Sequence, residues 1–256
     1  MSNKRDSVQN TILVALLLCI ACSVVVSMAA IFLRDQQKLN MAQERQLNIL
    51  TAAGIVVFNG DIDAAFAKIT PRLVDLRTGR FSTDLDVDTY DARKATKEDS
   101  LSRALGNTED IASIRRLAHY STVYLVTGEH GIERLVLPVH GYGLWSTLYG
   151  FIALEGDINT VVGLGFYEHA ETPGLGGEVD NLRWKALWSG KQVYAPDSGQ
   201  PLLALTKGVA GADEVYKVDG LAGATLTSNG VTNLIQFWLG EHGFAPFLTN
   251  LKAGEA

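Results

Sequence analysis

Apolar and polar positions divide the chain into three regimes. Residues 12–33 carry no charge, and only Ser23 and Ser27 are clearly polar. At about 1.5 Å of rise per residue, a helix of that length crosses a hydrocarbon core of roughly 30 Å. A cleaved signal peptide is the competing reading, and "SMAAIFLRD" imitates a cleavage site. Signal peptides, however, usually have apolar regions of only about 7–15 residues. The longer run and its polar continuation favour an uncleaved anchor. Residues 34–54 are rich in helix formers and end at Gly54, the pattern of a stalk helix continuing the anchor. Residues 61–76 place apolar side chains at roughly helical spacing and read as a further helix. Residues 81–100 are polar and read as a solvated strand or loop.

From Ser121 the period changes to two. "TVYLVTG", "ERLVLPVHG", "TLYGFIALEG" and "TVVGLGFYEH" are short β-branched and aromatic runs bounded by Gly, Asp or Asn. They predict a mostly antiparallel sheet. "DNLRWKALWSG" then predicts a short helix over 180–190, capped by Asp180 or Asn181 and ended by Gly190. Trp184 and Trp188 fall one turn apart on that helix and read as core. "GVTNLIQFWLG", 230–240, predicts a final apolar helix. No internal repeat and no alternation of strand and helix is present. Residues 55–256 therefore read as one α+β domain on a single N-terminal anchor.

Composition narrows the function. The chain has 256 residues, 47% of them apolar, and a net charge of −6 without a basic tract. A full core can be built, and nucleic acid is excluded as a partner. The five histidines are scattered in sequence and form no ligand pair. The acidic run Asp84, Asp86, Asp88 lacks the Gly and distal Glu of a calcium loop. Cys19 and Cys22 lie inside the apolar anchor, which makes them membrane-facing or helix-packing residues and not a redox pair. Lys4 and Arg5 precede the anchor and Arg34, Lys38 and Arg45 follow it, so charge alone leaves its orientation open.

Two loops hold more glycine than a connection needs. "HAETPGLGGEV" (169–179) combines Pro173, Gly174, Gly176 and Gly177 with the carboxylate of Glu171 and the hydroxyl of Thr172. It reads equally as a strand-to-helix turn or as a loop whose exposed N–H groups face a ligand. "DGLAGATLTSNG" (219–230) places Thr225, Thr227, Ser228 and Asn229 just ahead of the last helix. Capping by Thr227 or Ser228 explains one hydroxyl and leaves three polar residues unassigned. A helix N-terminus also presents free N–H groups and partial positive charge, which suits a phosphate.

The segment "DGLAGATLTS" resembles the attachment motif of the FMN-binding domain family, D-x-x-S/T-G-A-S/T. Asp219, Gly223, Ala224 and Thr225 match, while Ala222 stands where Ser or Thr is usual. "RQLNIL", "GYGLWSTLYGFIAL" and "GLGFYEHAETPGLGGEV" are similar to the same family and stand in the same order. The resemblance implies a covalent FMN, joined by a phosphoester to Thr225 by a separate flavin transferase that recognises Asp219. It implies further contacts from Gly223, Ala224, Leu226 and Thr227 near the phosphate. Glu171, Thr172, Gly174 and Leu175 would lie along the ring, with Leu144 and Trp145 packed on it and Lys207 approaching it. The implied function is electron carrying within a multi-subunit, sodium-translocating NADH:quinone reductase of the bacterial inner membrane. Residues 1–11 would then be cytoplasmic and the domain periplasmic. NADH itself would bind elsewhere, because no G-x-G-x-x-G fingerprint joins a strand to a helix here. The alternatives are an Rnf-type electron-transport subunit with the same FMN, and an anchored binding module that has lost its flavin. An anchored hydrolase would need a nucleophile–base pair that the sequence does not place together.

Overall fold

The apolar run and the predicted stalk form one continuous helix, α1 (Val8–Ala52). The computed structural model describes residues 8–129, 131–196 and 198–256. Of the predicted cytoplasmic N-terminus, residues 1–7 lie outside the described residues, and residues 8–11 already belong to α1. The chain divides into two units between Glu44 and Arg45. The second unit thus begins inside the predicted stalk, not at residue 55. Its reason is burial: Ile49, Leu50, Ala52 and Ala53 are core residues.

After α1 the chain forms α2 (Ile62–Phe66), capped by the Asp61 side chain, which accepts from the Ala64 amide. β1 (Ile69–Asp75) follows, so the helix expected over 61–76 covers only its first third. The β-branched residues Ile69, Thr70 and Val74 suit a pleated strand. Pro71 ends any helix, yet fits a strand where pairing is one-sided, since β2 (Arg80–Ser82) reaches only Leu73–Asp75. Residues 81–100 are largely turns around α3 (Ala92–Ala95), whose cap is Asp91. β3 (Ser102–Ala104) and β4 (Arg116–Ala118) pair with each other.

The four predicted strands are present as β5 (Tyr120–Gly128), β6 (Gly131–Tyr142), β7 (Thr147–Glu155) and β8 (Val161–Glu168). With β1 and β2 they form an antiparallel six-stranded sheet in the order β2-β1-β5-β6-β7-β8. Then come α4 (Leu182–Ala186), the short parallel pair β9 (Ala204–Leu205) and β10 (Lys217–Val218), α5 (Thr225–Trp238) and α6 (Ala245–Ala253). Of the two candidate caps of α4, Asn181 is the one used, accepting from the Arg183 amide. Gly190 takes φ +79° just beyond it.

Alternation along β6 assigns the two faces of the sheet. Leu135, Leu137 and Val139 pack with Val231, Leu234 and Phe237 of α5, with Trp188, and with Phe247 of α6. Val136 packs the opposite way, with Tyr124, Phe151 and the last turn of α1. Trp184 and Trp188 meet edge to face at 5.5 Å, confirming them as core. Trp184 also donates to the Asp219 carbonyl at 2.9 Å, which fixes the start of the segment leading into α5.

Candidate functional site

Three segments converge at the start of α5: the tip of the β6–β7 hairpin, the loop after β8, and residues 219–230. Glu171 joins them. Its Oε1 accepts from the amides of Leu144 and Trp145 at 3.0 Å and of Ser146 at 3.4 Å. Its Oε2 accepts from the Thr227 hydroxyl at 2.7 Å. Burial raises the pKa of this carboxyl, but the Thr227 hydroxyl and the three amides outweigh it and hold the group below the usual carboxylate range. Glycines make the room: a Cβ at Gly143 or Gly176 would come within 2.6 Å of a Glu171 oxygen.

The loop is tied down on both sides. The Ala170 amide donates to Ser146 Oγ at 2.7 Å. The Glu171 amide donates to His169 Nδ1, which assigns the ring proton to Nε2, 2.8 Å from Asp180 Oδ2. Lys185 reaches the other oxygen of Asp180. The Thr172 carbonyl accepts from Leu175 and Gly177, and Gly174 takes φ +75° in that turn. At the strand ends the Arg93 guanidinium lies 3.5 Å from the Tyr149 ring centroid and pairs with Glu168 at 2.8 Å. Sequence reading missed Arg93, which belongs to a distant, polar segment with no local signal.

The expected capping of the last helix is corrected. α5 begins at Thr225, not at Gly230, and its N-cap Ala224 offers no side-chain bond. Thr227 is instead bonded to Glu171. Ser228 Oγ accepts from the Leu221 amide at 2.9 Å, folding the preceding turn onto the helix. Both side chains are buried, whereas Thr225 is exposed in the first turn of an N-terminus that no side chain caps. Gly223 reaches this turn at φ +72°, and a Cβ there would sit 3.0 Å from Leu175. Around Thr225 the contributing segments expose Tyr142, Leu144, Trp145, Leu175 and Leu226. An exposed hydroxyl, uncapped amides and an apolar wall together fit a flat ligand that carries a phosphate.

Two predicted residues stand further out. Asp219 is half-buried and accepts from the Ala210 amide at 2.9 Å. Lys207 is exposed, next to Gly208, whose carbonyl accepts from Gly220. Among the described residues no contact links Lys207 to Thr225.

The close approach of α5 to the hairpin tip depends on Gly230, because a Cβ there would overlap the Tyr142 carbonyl oxygen. Helix propensity alone makes Gly→Ala favourable by about 1 kcal/mol. A clash with backbone costs about 1–3 kcal/mol and wins. Gly230→Ala is therefore expected to lower the melting temperature, and an unchanged thermal unfolding curve would refute the contact.

Residues 143–240 match the family model described as FMN-binding domain. The NqrC subunit of the Na(+)-translocating NADH-quinone reductase of Pseudomonas aeruginosa is 51% identical over 259 positions, covering 98% of this chain and 99% of that protein. Its counterpart from Vibrio alginolyticus is 46% identical, covering 100% and 99%. The crystal structure of Shewanella oneidensis NqrC superposes with a TM-score of 0.76 at 37% identity, over 83% of this chain and 99% of that one. The corresponding structure from Parabacteroides distasonis gives 0.66 at 26% identity, over 85% and 97%. On full-length identity and shared fold, this chain belongs to the NqrC family, one of the subunits of the Na(+)-translocating NADH-quinone reductases.

Proposed function

We propose that the chain carries FMN joined by a phosphoester to Thr225 and passes single electrons within a sodium-translocating NADH:quinone reductase. One observation carries the attachment: of the hydroxyls at Thr225, Thr227 and Ser228, Thr225 alone is exposed. The FMN-binding match over 143–240 spans all three segments of the site. The names of the relatives support the quinone-reducing complex over an Rnf-type one.

When bound, FMN supplies the redox chemistry, and the protein supplies position and electrostatics. The first-turn amides of α5, with Gly223 and Ala224 clearing the approach, hold the phosphate. Leu226, Leu175 and Trp145 pack on the ring, while Thr172 and the Gly174 turn offer polar contacts at its edge. Lys207 adds a mobile positive charge, and Asp219 lies on the face the flavin transferase reads. Residues 12–33 of α1 form the anchor, whose best window has a mean hydropathy of 2.9. The anchor sits in the bacterial inner membrane with the domain on the periplasmic side, beside the other subunits of the complex.

The test is the full chain produced with and without a flavin transferase, then run on a denaturing gel. A flavin-fluorescent band only in the presence of the transferase is expected. Dark bands in both would replace the carrier with a flavin-free binding module.

A further inference from the structure

The family resemblance places Glu171 against the flavin, but the geometry gives it another task. A carboxylate has two oxygens and about four acceptor positions. Here they face the Leu144, Trp145 and Ser146 amides and the Thr227 hydroxyl. The protein uses this acceptor capacity itself. The two ends of the interaction lie on different elements: three donors sit in the hairpin tip and one in the first turns of α5. Around it, Gly143 and Gly176 keep the space clear, and His169, anchored on Asp180, holds the Glu171 backbone. Trp145 and Leu144, whose amides Glu171 binds, are the exposed apolar residues of the wall. One buried side chain thus sets where that wall stands relative to the helix that bears Thr225.

We propose that Glu171 is a positioning residue for the flavin, holding the Leu144–Trp145 wall in register with Thr225. The inference rests on the FMN reading above. Positioning by a second layer of hydrogen bonds is effective because each bonded group is locked in one geometry. The lowered carboxyl pKa accords with this: an ionised acceptor makes the stronger hydrogen bonds.

The test uses the full-length chain with Glu171→Gln, Glu171→Ala and Thr227→Val. Gln keeps an oxygen for the three amides and an NH2 for the Thr227 oxygen, so it preserves the bridge without the charge. Ala removes the bridge. Val at 227 cuts only the link to α5 and guards against a misfolded Ala variant. Hydrogen exchange at residues 144–146 is measured first in a Thr225→Ala background, where no flavin attaches. Glu171→Ala is expected to speed exchange there about 10-fold to 100-fold, with Gln restoring most protection. With Thr225 present and the transferase supplied, Ala and Val are expected to change the visible circular dichroism of the attached flavin, and Gln to retain it. Unchanged exchange in Glu171→Ala, or a flavin spectrum identical to the parent in both Ala and Val, would overturn the proposal. A parent that takes up no flavin would instead sink the FMN reading, while the exchange measurement still decides what Glu171 holds.

Discussion

Thr225→Ala is expected to reduce covalent flavin fluorescence to background when the full chain is made with a flavin transferase. The argument rests on access. Thr227 is 0% exposed and its hydroxyl is bonded to Glu171; Ser228 is 7% exposed and bonded to Leu221. Neither can meet a second enzyme without opening the site. Thr225 projects from the first turn of α5, where uncapped amides stabilise a phosphate. Because its side chain is exposed and caps nothing, the substitution should change stability by no more than about 0.5 kcal/mol. An unaltered melting temperature beside a dark band would separate lost attachment from lost folding. Thr225→Ser keeps a hydroxyl in the same place and is expected to stay fluorescent. A fluorescent Thr225→Ala band, with the flavin-bearing peptide mapped by mass, would move the attachment to another residue and break the access argument.

The hydroxyl cluster also shows what the sequence made legible. β5 to β8 were readable because a period of two, interrupted by glycine, suits a half-buried strand and no helix. Residues 61–76 misled because Ile62, Ala65, Phe66, Ile69 and Leu73 satisfy helical spacing while the last of them pair with β5. The attachment segment stood out through its glycines and hydroxyls, yet the caps assigned to Thr227 and Ser228 were local answers to a long-range question. The partner of Thr227 is 56 positions away. No periodicity joins Glu171 to the hairpin tip either, and Arg93 reaches Tyr149 from a segment that reads as solvated turn. Elements were visible where one stretch of chain determines them. The site's cross-links were not, because each needs the fold first.

A fragment starting at residue 55, the domain boundary that composition suggests, is expected to fail to fold, while one starting at residue 40 folds. The missing segment contributes Ile49 and Leu50, 1% and 0% exposed, together with Ala52 and Ala53. These pack on Tyr124, Val136 and Phe151 across one face of the sheet. Arg45 donates to the Tyr124 hydroxyl, and Arg134 to the Ala53 carbonyl, so the polar groups at this edge lose their partners as well. Deleting a large core side chain costs about 2–5 kcal/mol. Losing two of them approaches the whole stability of an ordinary domain, about 5–15 kcal/mol. The bared sheet face would then favour association over refolding. Soluble yield and cooperative thermal unfolding of the two fragments, followed by circular dichroism, decide the matter. Equal melting temperatures would mean that the end of α1 only rests on the sheet. A folded longer fragment beside an insoluble shorter one would make the last turns of α1 part of the domain's own core.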